Sequence, residues 1–277
     1  MHRHPAVAGY FYEGTANSLK EQVQEFIVAG AEKVKALGAL SPHAGLMYSG
    51  PVAGAVYSRI ELPDTFVLIG PNHTGLGAPV SIMCEGDWET PLGSVGIDGT
   101  LARSILSKSS LIREDTLAHL REHSLEVQLP FIQYFKSGIK IVPIQMLDTR
   151  LETCLAVGRA VGEAIAECGM RNAELKAEFP KILIVASSDM THYESARAAK
   201  EKDEKAIRNI LDLDPEGLYR TIKTHGITMC GFGPAVAMLT ACKALGASKA
   251  ELVKYQNSGD VSGDFEQVVG YAGVIVS

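Results

Sequence analysis

Histidine and acidic side chains follow three apolar segments of this sequence, and each lies just past the point where a strand would end. The residues concerned are His43, His73, Asp189 and His192. The carboxyl ends of parallel strands meet at one edge of a sheet, and ligands bind in the crevice outside that edge. If the three segments are neighbouring parallel strands, the four side chains converge there. Imidazole and carboxylate groups in one crevice could hold a metal ion or transfer protons.

Each of these residues also has a plainer interpretation. A single histidine after a strand is more often an ordinary loop or cap residue. Ser187-Ser188-Asp189 could simply cap a following helix, because serine and aspartate are good N-caps. What favours a shared site is the repetition, since three histidines and an aspartate fall in three equivalent positions, each after a separate strand.

Cys230 precedes an apolar segment that has the pattern of a helix. Pro234 suits the first turn of that helix. Cys230 is therefore predicted to lie near the helix N-terminus, where the helix dipole favours the thiolate. Glycines at positions 231 and 233 keep the backbone close to whatever binds there. The other cysteines fall within strand and helix patterns and are expected to be ordinary small apolar residues: Cys84, Cys154, Cys168 and Cys242.

A second motif has two interpretations. His119, Glu122 and His123 match the inverted zinc-protease pattern H-x-x-E-H. That chemistry needs both histidines on one face of a continuous helix, with a glutamate as general base. In the other interpretation a new helix starts at Ser124, and Glu122 and His123 belong to a loop that contributes side chains to the crevice. The second is favoured, because no third ligand is placed in the usual way and a five-residue match often arises by chance.

The composition excludes several classes of protein. The chain has 277 residues, 46% hydrophobic and 21% charged, with a formal net charge of −6, which is ordinary for a soluble globular protein. No basic stripe indicates a nucleic-acid partner, and no apolar run approaches the ~20 residues that a membrane span needs. Five widely spaced cysteines predict reduced thiols in the cytoplasm. No linker divides the sequence, so residues 1–277 are predicted to form a single domain.

Apolar runs typical of buried strands alternate with amphipathic segments typical of helices, which predicts a layered α/β fold with a central, at least partly parallel sheet. Short strands in residues 79–97 are expected at an edge of that sheet. The first helix is expected near Ser18, which forms a capping-box pair with Glu21. Other helices are predicted at residues 51–59, 100–108, 122–135 and 151–168, and two or three more are predicted to fill residues 195–245. The principal strands are predicted at residues 34–40, 66–69, 139–145, 182–186, 251–256 and 268–276.

Six segments, taken in order, resemble the motifs of the Memo family, which is named for a mediator of cell motility and has archaeal and bacterial relatives. The resemblance covers nearly the whole chain. The segments are residues 5–12 (PAVAGYFY), 41–45 (SPHAG) with 48–50 (YSG), 70–73 (GPNH), 122–131 (EHSLEVQLPF), 187–193 (SSDMTHY) and 230–231 (CG).

The resemblance implies a fold and a metal site. The family is similar in fold to the class III extradiol (LigB-type) dioxygenases, which implies a three-layer αβα sandwich with a central, largely parallel mixed sheet. It also implies a metal held by His43, His73 and Cys230. His192 is the candidate catalytic base, with Asp189 holding its ring in one tautomer. Residues that would surround the ligands in the pocket are Asn72, Glu122 and His123.

The implied function is redox chemistry on a small-molecule substrate. Two imidazoles and a thiolate suit a mononuclear transition metal, most readily Fe(II) or copper and also zinc. The dioxygenases use two histidines and a glutamate, so Cys230 is a departure that argues against ring cleavage. The alternative is a non-catalytic scaffold that binds a partner peptide in the same pocket. Bacterial and archaeal relatives are grouped with a radical-SAM protein, which implies a link to such a partner.

Overall fold

A twelve-stranded mixed sheet forms the centre of the molecule in the computed structural model, which describes residues 1–173 and 182–277. Strands are short at one edge of the sheet and longest near the other. In chain order they are β1 (His2–Arg3), β2 (Gly38–Ser41), β3 (Thr65–Pro71), β4 (Val80–Ile82), β5 (Asp87–Thr90), β6 (Gly93–Ile97), β7 (Arg113–Glu114), β8 (Lys140–Met146), β9 (Ile182–Ser187), β10 (His192–Glu194), β11 (Ala250–Asn257) and β12 (Val268–Val276).

Helices connect most of these strands. None of those in the described ranges is both long and apolar enough to cross a membrane. Two three-residue 3-10 helices, Leu117–His119 and Glu126–Gln128, lie before the fourth α-helix. The α-helices described are α1 (Ala16–Phe26), α2 (Leu46–Ser58), α3 (Gly99–Lys108), α4 (Leu129–Phe135), α5 (Leu151–Ala173), α6 (Ala196–Leu211), α7 (Pro215–His225), α8 (Phe232–Ala244) and α9 (Gly259–Ser262).

Four parallel strands form the middle of the sheet, in the order β8-β3-β9-β2. Because β3, β9 and β2 are parallel neighbours, their carboxyl ends lie along one edge of the sheet. The antiparallel strands β12 and β11 extend the sheet beyond β2. On the other side, β6 continues the sheet from β8, and the antiparallel β5 and then β1 form its outer edge. The short strands expected at a sheet edge within residues 79–97 are therefore found there.

Alternation of side chains along the strands divides the core into two layers. Phe66 and Leu68 of β3 face one side of the sheet and pack with buried residues of α1, α2 and α4. Val67 and Ile69 face the other side and pack with α3, α5, α6, α7 and α8. Successive side chains of a strand point to opposite faces, so an apolar run buries both faces of the sheet. The predicted three-layer αβα sandwich is confirmed.

Two predicted helix starts were wrong because nearby groups cap the chain earlier than the sequence pattern indicates. Helix α1 begins at residue 16, because Thr15 Oγ1 accepts a hydrogen bond from the backbone N–H of Ser18. Helix α2 begins at Leu46, whose backbone N–H donates to the carbonyl oxygen of Phe11. Pro51 therefore lies inside α2 instead of starting it.

The predicted strand at residues 34–40 was too long. Strand β2 begins only at residue 38, and Val34 instead makes an isolated parallel bridge with Ile60. All four residues of β2 are buried, so the strand starts where the chain enters the core. This shift leaves the carboxyl end of β2 at Ser41, two residues before His43.

Candidate metal centre

The carboxyl ends of three central strands place the predicted residues in one crevice. His43 follows β2, His73 follows β3, and Asp189 follows β9, which lies between those two strands. The backbone N–H of His43 donates to Asp189 Oδ1 at 2.8 Å and joins two of the three loops directly. The strand-end pattern thus leads to a real juxtaposition in space.

Three histidine rings form a compact cluster in this crevice. His43 and His73 have ring centroids 5.2 Å apart, and His123 lies 4.9 Å from His73 and 5.5 Å from His43. One ring nitrogen from each lies within 4.8 Å of the other two. His43 is only 2% exposed and forms the floor, whereas the His73 and His123 side chains are 35% and 23% exposed and line the mouth.

Ser187 determines the tautomer of His43. The Ser187 hydroxyl donates its one hydrogen to the carbonyl oxygen of Ser124 at 2.6 Å. Its contact with His43 Nδ1 at 2.9 Å must therefore be one in which the ring donates. Since Nδ1 carries the hydrogen, Nε2 of His43 keeps its lone pair for a ligand or metal.

A buried amide completes the environment of Ser187. Gln128 Nε2 donates to the Ser187 hydroxyl at 2.8 Å and to the carbonyl oxygen of Pro42 at 2.9 Å. Tyr57 donates to Gln128 Oε1 at 2.9 Å, which fixes the orientation of the amide. These supports could not be predicted from the sequence, because Ser187 is 144 residues from His43 and no local pattern connects them.

Glu122 orients His73 in the same way. Its carboxylate accepts a hydrogen bond from His73 Nδ1 at 2.9 Å and from the backbone N–H groups of His123 and Ser124 at 3.0 Å each. Burial acts to raise the pKa of Glu122, but these hydrogen bonds and the charge of His73 lower it to about 2. The carboxylate is ionised at neutral pH, and it holds the Nδ1 side of the His73 ring, so Nε2 is the nitrogen left for a ligand or metal. Glu122, a predicted pocket residue, makes this contact in the structure.

Burial keeps two of the three imidazoles neutral. It lowers the pKa of His43 well below the usual value, and the neighbouring His123 and His73 lower it further. Burial also lowers the pKa of His123. Metal ions bind the neutral form of histidine, so this environment suits a metal site.

Cys230 lies beside His43, as expected if both side chains bind the same ion. Its sulfur is 3.3 Å from His43 Nε2 and also accepts the backbone N–H of Asp189 at 3.3 Å. Gly231 allows this approach, because a Cβ there would lie 2.2 Å from the carbonyl oxygen of Ser187. A single ion touching His43, His73 and Cys230 together stays a prediction.

The protonation state expected for Cys230 needs correction. Its position just before α8 predicted a thiolate favoured by the helix dipole. In the structure burial and the charge of Asp189 raise the pKa of the thiol, so the metal-free side chain is protonated at neutral pH. The desolvation of a buried sulfur therefore outweighs the partial charge of a helix end.

His192 is oriented by a different group from the one expected. Its Nδ1 lies 2.9 Å from the carbonyl oxygen of Thr228, and its backbone N–H donates to the Thr228 hydroxyl at 2.7 Å. A carbonyl only accepts, so Nδ1 carries the hydrogen and Nε2 is the basic atom. The Asp189 carboxylate instead accepts the backbone N–H groups of His43 and Ala44. Burial raises the pKa of Asp189 despite those hydrogen bonds.

Asn72, a predicted pocket residue, shapes the loop that carries His73. Its side-chain oxygen accepts the backbone N–H groups of Thr74 and Gly75 at 3.0 and 3.1 Å. Its amide nitrogen donates to the carbonyl oxygen of Leu76 at 2.7 Å. The side chain is thus engaged within its own turn, which holds His73 at the mouth of the pocket.

The zinc-protease interpretation of residues 119–123 was wrong. His119 ends a three-residue 3-10 helix, and the chain is not helical again until residue 126, so the two histidines do not share a helix face. His119 is fully buried against Trp88, with ring centroids 5.9 Å apart. Within the described residues neither of its ring nitrogens makes a hydrogen bond of normal geometry. Glu122 and His123 belong to the loop that feeds the crevice, as the favoured interpretation predicted.

His119 should make the protein sensitive to acid without affecting metal binding. Burial and the nearby charge of Arg3 lower its pKa to about 3. An unfolded histidine titrates near 6.5, so the unfolded chain binds the proton first and stability falls as the pH drops from about 6.5 toward 3. We expect His119→Phe to remove up to about 1.4 kcal/mol of this loss per pH unit.

Urea unfolding of the metal-free wild type and variant at a series of pH values would measure this effect. The metal content of the two proteins should be equal. A pH dependence as steep in the variant as in the wild type, or loss of metal from the variant, would contradict the assignment.

Comparison with known proteins extends the motif evidence to nearly the whole chain. Residues 3–275 match the family model described as Memo-like protein. The chain is 47% identical over 276 residues to a Methanosarcina mazei protein named MEMO1 family protein, covering 99% of this chain and 98% of that protein. An Aquifex aeolicus protein of the same name is 45% identical over 277 residues, with 99% and 98% covered. A Pyrobaculum aerophilum relative is 43% identical over 285 residues, with 99% and 98% covered.

Proposed function

The chain belongs to the Memo family, and on that premise we propose that it binds one transition-metal ion in the strand-end pocket and acts in redox chemistry on a small molecule. The observation that carries the proposal is the convergence of three imidazoles, two of which are oriented by buried partners. His43 and His73 each donate from Nδ1 to a buried partner, which leaves their Nε2 atoms available. Neutral imidazoles with such partners are the usual form of histidine at metal sites.

The proposed ligands are His43, His73 and Cys230, with His123 as a fourth donor within reach. Nitrogen and sulfur donors together favour iron, copper or zinc over magnesium or calcium. Iron or copper, when bound, would supply electron transfer to a small molecule beside it, whereas zinc would not. The raised pKa of the Cys230 thiol means that binding should release its proton, because a metal-coordinating thiol is deprotonated.

The remaining pocket residues have separate tasks in this proposal. His73 and His123, at the exposed mouth, contact an entering molecule before it reaches the buried His43. His192 is the base, because the carbonyl of Thr228 holds its hydrogen on Nδ1 and leaves Nε2 to accept a proton. Asp189 joins the loops of His43 and Cys230 and keeps these two side chains adjacent.

A non-catalytic pocket that binds a partner peptide is the second candidate. It is supported by Tyr193, which follows His192. This residue is 74% exposed at the surface and adopts a positive φ of 58°. Backbone strain of this kind in a residue other than glycine often marks a ligand-contacting position. Phe11 adds an aromatic ring 4.8 Å from His123. In either case we propose a reducing, cytoplasmic setting, supported by Cys84, Cys154, Cys230 and Cys242 standing as thiols.

Metal analysis and oxygen uptake separate the two candidates. Protein purified without added metal should contain iron or copper, and reduced, metal-loaded protein should consume oxygen. Full metal occupancy without oxygen uptake or any substrate oxidation, together with peptide binding, would favour the scaffold. Absence of any bound metal, even after loading, would overturn the metal proposal.

We expect little or no ring cleavage of simple catechols by the iron-loaded protein. The thiol of Cys230 stands 3.3 Å from His43 Nε2, and a metal-bound thiolate is itself readily oxidised. The test is anaerobic iron loading, then catechol and air, followed by absorbance of the yellow ring-opened product. Sustained turnover that disappears in His192→Ala would show that the thiolate does not prevent dioxygenase chemistry.

A further inference from the structure

Two neighbouring strands at the outer edge of the sheet, β1 and β5, carry a second group of metal-binding side chains outside the strand-end pocket. Strand β1 pairs in parallel with β5, so that His2 lies opposite Asp87 and Arg3 opposite Trp88. Side chains alternate along a strand, so His2 shares its face with His4, and Asp87 shares its face with Glu89. The pairing therefore assembles two imidazoles and two carboxylates on one surface.

The donor atoms of this group are already within the spacing of a metal site. Glu89 Oε2 lies 2.6 Å from His4 Nδ1 and 3.2 Å from His2 Nε2. His2 Nδ1 lies 2.8 Å from Asp87 Oδ2. One donor atom each from His2, His4 and Glu89 falls within 4.8 Å of the others. Donors placed about 2.0–2.1 Å from a tetrahedral ion are about 3.3 Å apart, so small movements would suffice.

The alternate residues of both strands anchor the backbone beneath this group. Arg3 is 1% exposed and forms an ion pair with the buried Glu126 at 2.7 Å. Its guanidinium also lies 4.1 Å from the centre of the fully buried Trp88 ring. The two strands are therefore held in register from the core side, and the exposed face is preorganised.

The charges of the group are suited to a divalent cation. Within the part of the chain that the structure describes, the ion pairs of Asp87 and Glu89 are made with histidines alone. When both imidazoles are neutral, the two carboxylates leave a charge of −2. The side chains are exposed by 35% at Asp87, 42% at Glu89, 44% at His2 and 77% at His4, so an ion can enter and keep bound water.

We propose that His2, His4 and Glu89, with Asp87 beside them, form a second metal site that binds a divalent cation of the zinc class on the sheet edge. The donor set of two histidines and one carboxylate, with a position left for water, is one that zinc accepts. Asp87 holds His2 through its other ring nitrogen, which is the usual arrangement for a metal-binding histidine. A bound ion clamps β1 to β5 from the solvent side.

A metal ion at the sheet edge would also support the strand-end pocket. Arg3, which lies between His2 and His4 in the chain, donates to the carbonyl oxygens of His119 at 2.6 Å and Glu122 at 2.7 Å. Glu122 in turn orients His73. Zinc at the sheet edge therefore stabilises the strand that supports the pocket loop, without contacting the pocket itself.

Calorimetric titration of the untagged, metal-free chain with zinc tests the proposal. We expect the wild type to bind two zinc ions, one at each site, and His4→Ala or Glu89→Gln to bind one. Zinc should also raise the melting temperature of His43→Ala, because that variant keeps the sheet-edge site. The matched control is His225→Ala, an exposed histidine at the end of α7, which should still bind two ions.

Each outcome either supports or contradicts the sheet-edge site. His4 and Glu89 are exposed, and equal melting temperatures of the metal-free variants and wild type would show that they remain folded. Equal zinc stoichiometry and affinity in the wild type, His4→Ala and Glu89→Gln would overturn the sheet-edge site. If the pocket proposal alone fails, His43→Ala and the wild type each bind a single ion, which His4→Ala loses.

Discussion

Replacing His43 with alanine is expected to reduce the iron or copper content of the protein from about one ion per chain to a trace. His43 is the buried floor of the cluster, one of its ring nitrogens lies within 4.8 Å of those of His73 and His123, and its Nε2 lies 3.3 Å from the Cys230 sulfur. An alanine removes the one buried imidazole of the cluster and the donor atom that lies beside the Cys230 sulfur. Mass spectrometry of the loaded and desalted protein measures the metal content directly.

A graded series makes this prediction specific. Ser187→Ala should weaken metal binding by about 10- to 100-fold without abolishing it, because it removes the hydrogen bond that orients His43 but leaves every proposed ligand in place. His225→Ala changes an exposed histidine and should retain full metal content. Retention of metal by His43→Ala at the wild-type level would exclude the cluster as the binding site.

Loss of the sulfur-to-metal absorption band is the result we expect when Cys230 is changed to serine. In cobalt-substituted protein a thiolate ligand produces a charge-transfer band in the near ultraviolet, and a serine hydroxyl does not. The affinity for copper or zinc should fall as well, because a soft thiolate contributes strongly to binding these ions. The 3.3 Å contact between the Cys230 sulfur and His43 Nε2 places the thiol where it can make this bond.

Cys154→Ser is the matched control for this experiment, because Cys154 is a fully buried thiol in α5, outside the cluster. Its metal content and absorption band should match those of the wild type. His123→Ala tests the competing ligand. Metal content that falls in His123→Ala and not in Cys230→Ser would show that the cluster binds through three histidines.

The layered fold could be predicted from the sequence because its signal is local. A strand buried on both faces needs apolar side chains at consecutive positions, as in residues 66–69, and this pattern is visible in a few residues. The boundaries were less certain. Helices α1 and α2 start where Thr15 and Leu46 make hydrogen bonds that the hydrophobic pattern of the sequence does not reveal. Val34 pairs with Ile60 outside the sheet.

The candidate site could be predicted only in outline. The positions after the strands pointed to His43 and His73, and the Memo motifs added Cys230. The central place of His123 depends on how the loop before α4 packs on the end of β3, where Gly70 allows Ser124 and Leu125 to approach. The missing helix around His119 likewise became evident only in the structure.

The sequence by itself determined which groups are available and at which end of the sheet they stand, because apolar runs and the residues that follow them are local properties of the chain. Tertiary structure alone decided their chemistry. Ser187 sets the tautomer of His43 from 144 residues away, and burial raises the pKa of Cys230 where a helix end alone would lower it. Protonation depends on the solvent and partners around a group, and folding brings those together from distant parts of the chain.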